Sequence, residues 1–99
     1  MPFKIETDPK AIKELSGALD WYAEQQDDLV ELFRDHFRRE VLNIMNFPES
    51  YPKVKRNYRQ ALMSNFPYLI IYSINKKEEI ITILSVFHTS RHPKQKFRK

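Results

Sequence analysis

The chain has 99 residues, 41% of them apolar and 13% aromatic, which is enough for one packed core and too short for two. Seventeen Lys and Arg against thirteen Asp and Glu give a formal net charge of +4, a mild lean toward an anionic partner. With no cysteine and one glycine, disulfide scaffolds, thiol catalysis, cysteine zinc sites and glycine-rich phosphate loops are excluded.

In chain order, Phe3-Lys4-Ile5-Glu6 alternates apolar and polar, the period of a half-buried strand. Asp8-Pro9 reads as a helix cap followed by proline at the first helical position. Ile12, Leu15, Ala18, Leu19 and Tyr22 then fall at helical spacing, which predicts a helix over residues 9–25. Asp27-Asp28 reads as a second cap. Leu29, Phe33, Phe37, Val41 and Ile44 mark one face of a second helix that runs to about Phe47, where Pro48 stops it. A short link between two such helices predicts a helical hairpin.

Pro48 to Pro52 reads as a loop. The basic, alternating stretch from Lys53 to Arg59 leads into a strand that ends near Ser64. Phe66 to Ile74 is a nearly continuous apolar strand, Asn75 to Glu78 a polar turn, and Glu79 to His88 the last strand. The expected order is β-α-α-β-β-β. This is an α+β domain over residues 1–93, with the hairpin on one face of a small, mostly antiparallel sheet and a basic tail at 94–99. In the last strand Ile81, Ile83 and Phe87 should face one way and Ile80, Leu84 and Val86 the other. Both sheet faces are thus apolar, while the hairpin can cover only one. The second face is buried either by the tail, the loops and sheet curvature, or by a partner protein.

No apolar stretch is long enough to span a membrane, and Met1-Pro2-Phe3-Lys4 does not open a secretion signal, so a cytoplasmic protein away from membranes is expected. The chemistry on offer is sparse. His88 and His92 are four residues apart, but Pro93 keeps His92 out of a helix and no carboxylate follows His88, so no metal site or other cofactor is expected. Ser64, Ser85 and Ser90 lie in no nucleophile motif. The remaining constellation is basic. Lys53, Lys55, Arg56 and Arg59 lead into the second strand, and His88, Arg91 and His92 leave the last. A small site of arginine, histidine and lysine suits cleavage of an RNA phosphodiester, with histidine moving a proton and arginine stabilising the phosphorane charge. A solvated basic rim accounts for the same residues. In a meander the start of the second strand lies at the end opposite His88.

Three stretches, "WYAEQQDDL" (Trp21 to Leu29), "FPESYPKVKRNYRQALMSNFPYLIIYSI" (Phe47 to Ile74) and "ILSVFHTSRHP" (Ile83 to Pro93), together resemble the RelE/ParE family of bacterial toxins from type II toxin–antitoxin pairs. The resemblance implies the same β-α-α-β-β-β fold. It also implies a cognate antitoxin that wraps the toxin, covers the open sheet face and offers acidic segments to a basic surface. The family divides by target: RelE-like members cut mRNA on the ribosome, and ParE-like members inhibit DNA gyrase. The nuclease pattern has arginine where Leu69 stands, lysines where Gln60 and Leu62 stand, a basic residue near Thr89 and a terminal aromatic hydroxyl that Phe97 lacks. His-x-x-Arg-x-Pro at His88 is closer to the ParE-like members. The resemblance therefore implies a gyrase-binding toxin in which Lys53, Lys55 and Arg56 are candidates for contacting target or nucleic acid. The alternative is a metal-free mRNA endoribonuclease acting on the ribosome through Arg59, His88 and Arg91, with Lys53 or Lys55 gripping phosphate. A third reading is a member that only pairs with its antitoxin.

Overall fold

The computed structural model describes residues 3–90. Arg91, His92, Pro93 and the tail at 94–99 lie outside the described residues. Strand β1 (Lys4–Thr7) leads into helix α1 (Pro9–Gln25). The Asp8 side chain caps α1 by accepting from the Lys10 N–H at 2.9 Å, and Pro9 takes the first turn, where no N–H is needed. Gln26 alone links α1 to α2 (Asp27–Asn46), in an extended conformation with φ −172°. Asp27 and Asp28 therefore sit inside the first turn of α2. They do not cap it, and they favour it through the helix dipole.

Strands β2 (Arg59–Leu62), β3 (Tyr68–Asn75) and β4 (Ile80–His88) form the expected antiparallel meander, and β1 adds to β4 in parallel, giving the order β1-β4-β3-β2. Strand β2 is shorter than the sequence suggests. Lys53 to Tyr58 does not extend it but folds back as a loop, with Lys53 bridging Arg59.

The core lies between the hairpin and one sheet face. Phe33 is fully buried, with its ring centroid 5.3 Å from Tyr22, 5.0 Å from Phe66 and 5.4 Å from Tyr68. Such edge and tilted aromatic pairs each add about 0.5–1.5 kcal/mol beyond burial. Tyr72, Ile70, Ile81, Ile83 and Ala61 complete the sheet side of this core.

Strand β4 departs from the expected alternation. Ile71 pairs with Ser85 but the next residue, Tyr72, pairs with Ile83, so Leu84 is an extra residue in a bulge. Beyond it the parity inverts. Val86 joins Ile81 and Ile83 in the hairpin-facing core, and Phe87 pairs with Leu69 on the other side. The second face is also less apolar than expected, because Ser73 and Thr82 pair there.

Strand β1 ends opposite Ile83, which would leave the rest of β4 with an open edge. Helix α1 closes it: Glu14 Oε1 accepts from the Ser85 hydroxyl at 2.8 Å and from the Val86 N–H at 2.9 Å.

Candidate functional site

Two surfaces carry features beyond those the fold needs. The first is a groove of about 350 Å³ between the two helices of the hairpin, reaching in to the buried Phe33. Leu15 and Leu19 of α1 and Phe37, Val41 and Leu42 of α2 line it, and Arg34 and Arg38 stand at its margin. Leu42 is 48% exposed. Helical spacing places Arg34, Phe37, Arg38 and Val41 along one stripe of α2, so the groove is apolar at its base and cationic at its rim. Each arginine also meets an acid on its own helix, Arg34 with Glu31 at 3.7 Å and Arg38 with Asp35 at 3.3 Å. These pairs are solvent-exposed and worth little, so they do not lock the guanidinium groups away.

The second surface is the loop between α2 and β2, which polar bonds bind to the sheet. Arg59 Nη1 donates to the Tyr51 carbonyl at 2.6 Å and to the Glu49 carbonyl at 3.2 Å. The Tyr72 hydroxyl, buried in the sheet, donates to the Pro48 carbonyl at 2.6 Å. The Tyr51 hydroxyl donates to Glu40 at 2.7 Å. Burial pushes the Tyr72 phenol up to about 12, with Arg59 opposing and Glu40 reinforcing the shift. Burial, and then the hydrogen bond to Glu40, push Tyr51 upward as well. Both phenols thus act as fixed donors. Lys55 and Arg56 project at the exposed loop tip, and Arg56 has a positive φ of 58°.

The candidate residues named from sequence are distributed along the sheet. Arg59 pairs with Tyr72, and His88 with Tyr68, on opposite sides of β3 and four residues apart along it. At standard strand rise and spacing that separation is about 16 Å. The His88 ring stands edge-on to Tyr68, 5.1 Å between centroids, and its Nδ1 accepts from the Ser90 N–H at 3.2 Å. Lys53 joins Arg59 at one end of β2, and Arg91 lies outside the described residues. Sequence reasoning missed the binding roles of Tyr51, Tyr72 and Glu40. A tyrosine in an apolar run signals only burial, and its hydroxyl partner here is a backbone carbonyl 24 residues away. Among the described residues there is no group of three or more metal-ligating side chains, and no helix long and apolar enough to cross a membrane.

A two-helix hairpin on a four-stranded mixed sheet, with a groove on the hairpin and a basic loop beside the edge strand, defines a small α+β domain. The family model described as "ParE toxin of type II toxin-antitoxin system, parDE" matches residues 5–93, and the chain belongs to that family. Among solved structures, the chromosomal ParDE toxin–antitoxin system of P. aeruginosa superposes with a TM-score of 0.76 at 13% identity, covering 89% of this chain and 97% of that one. The intact E. coli RelBE toxin–antitoxin complex superposes with a TM-score of 0.63 at 13% identity, covering 90% and 99%. The RelBE2 toxin–antitoxin complex of Mycobacterium tuberculosis gives 0.59 at 15% identity, covering 89% and 99%. At these identities the solved structures establish the RelE/ParE fold. No curated protein matches the sequence.

Proposed function

We propose that this chain is a growth-arresting cytoplasmic toxin, held inactive by its cognate antitoxin, and that it acts by binding a protein target, DNA gyrase, without cutting RNA. The hairpin groove supports the antitoxin half. An apolar floor between Arg34 and Arg38 suits an amphipathic helix with acidic flanks, which buries its apolar side and pairs its carboxylates at the rim. The structural relatives in the ParDE and RelBE complexes are themselves described with antitoxins.

Arg59 carries the non-nuclease half. Its guanidinium is engaged by two loop carbonyls, and it stands at the opposite end of β3 from His88. One phosphate cannot meet both. Leu69, on the strand between them, supplies no positive charge. The exposed Lys55 and Arg56 are then the side chains best placed to touch an acidic target surface.

The deciding experiment expresses the chain from a tight promoter without antitoxin and maps new mRNA 5′ ends within minutes of induction. Growth arrest with intact messages, followed by loss of supercoiling activity when the purified toxin is added to gyrase, is the expected result. Cuts at codon boundaries would overturn it in favour of a ribosome-dependent endoribonuclease. No arrest would reduce the chain to an antitoxin-binding partner.

A further inference from the structure

At the foot of the bound loop, three cations from three segments surround one carboxylate. Lys53 comes from the folded-back loop, Arg59 from β2 and Lys76 from the β3–β4 turn; with Glu49, Asn57 and Ile74 they line a polar hollow of about 250 Å³. Lys76 pairs with Glu49, and the two side chains are 71% and 52% exposed. The hydrogen bond and charge of Lys76, reinforced by Arg59 and Lys53, hold the Glu49 carboxyl below its ordinary value, so all three cations act on the same point. Among the described residues Lys53 has no ion-pair partner within 4.0 Å.

We propose that this hollow is a phosphate-class oxyanion site in which Glu49 is an internal placeholder that the ligand displaces. With Glu49 displaced, three positive charges line the hollow, of which a phosphate, at about −1.5 to −2 near neutral pH, neutralises more than a single carboxylate does. The Lys76–Glu49 pair is exposed and weakly held, so water or a ligand exchanges with it readily. Arg59 is fixed in place by the loop carbonyls, which keeps one wall of the hollow rigid while the two lysines adjust. The Asn57 amide supplies a neutral donor at the rim. Neither the groove on the hairpin nor the choice of cellular target enters this assignment, so its test is independent of them.

The test is a titration of the 15N-labelled full chain with sodium phosphate, compared with sodium chloride at equal ionic strength. The expected result is saturable shifts at the amides of Lys53, Asn57 and Lys76. A Lys53→Gln/Lys76→Gln variant should bind phosphate about tenfold more weakly, as loss of two exposed charges close to an anion implies. Glu49→Gln removes the placeholder and should bind it more tightly. That gain separates a site from a merely structural ion pair, whose loss would leave phosphate affinity unchanged. Arg59 is left intact because its substitution would release the loop. Repeating the titration with phenyl phosphate distinguishes the two sources of the ligand: equal affinity assigns free phosphate, and tighter binding assigns a monoester on a larger molecule. Unsaturable shifts spread equally over Lys4, Lys13 and Arg34, or no tightening in Glu49→Gln, would overturn the proposal.

Discussion

Phe33 on α2 and Arg59 on β2 each tie a segment to the same sheet face, and they do so by opposite physics. Phe33 is fully buried against three rings, and its hold comes from the apolar area they cover together with their edge and tilted contacts. Arg59 is only half-buried and works through two directed hydrogen bonds to carbonyls. The hairpin is therefore held by area, which many residues share. The loop is held by a few donors, with Tyr72 and Tyr51 beside Arg59. A region held by area resists most single changes outside its centre, whereas a region held by donors can be released locally while the rest stays folded.

The largest test of this contrast is Phe33→Ala, which should destabilise the whole domain by about 3–5 kcal/mol, as removal of a buried aromatic does. Denaturant unfolding reads it, and a loss below about 1 kcal/mol would mean the rings close over the gap. Arg59→Ala should cost less, about 1.5–3 kcal/mol for hydrogen bonds from a charged donor. Its signature is local. Hydrogen exchange should accelerate first at the Gln60 and Val54 amides, which bond the Pro52 and Tyr58 carbonyls in the folded-back loop, while the helices stay protected. Uniform acceleration would erase the distinction between the two regions.

The smallest effect is a titration. The folded pKa of Tyr72, at about 12, lies above the ordinary phenol value near 10. For a raised pKa the contribution to stability is complete below the unfolded value and is lost as pH rises through the folded one. The loop should therefore loosen between about pH 10 and 12. NMR of ring-labelled tyrosine should show Tyr72 ionising late, and Tyr72→Phe should abolish that step. Ionisation of Tyr72 near pH 10 would show its hydroxyl is wet and the contact with Pro48 open.

The sequence by itself set the order of elements, the limits of α1 and the aromatic core, because caps, prolines and helical periodicity act within a few residues. The run from Phe66 to Ile74 was legible as a strand for the same reason, although its ends shifted by two residues and one residue to Tyr68 and Asn75. Local pattern could not reveal the bulge at Leu84, which reverses the faces of Val86 and Phe87, because a bulge exists only relative to a partner strand. Nor could it show that Lys53 to Tyr58 folds back from the edge, since an alternating basic stretch suits a strand until neighbouring carbonyls find other donors. The hairpin groove was unread because it joins Leu15 and Leu19 to residues of the next helix. The hollow around Glu49 was unread because its cations come from three segments that only the β3–β4 pairing and the folded-back loop bring together. Periodicity is a property of one segment, whereas a site is a property of several. The meander order already set Arg59 apart from His88, but only the tertiary structure decided that Arg59 would hold a loop through the Tyr51 and Glu49 carbonyls.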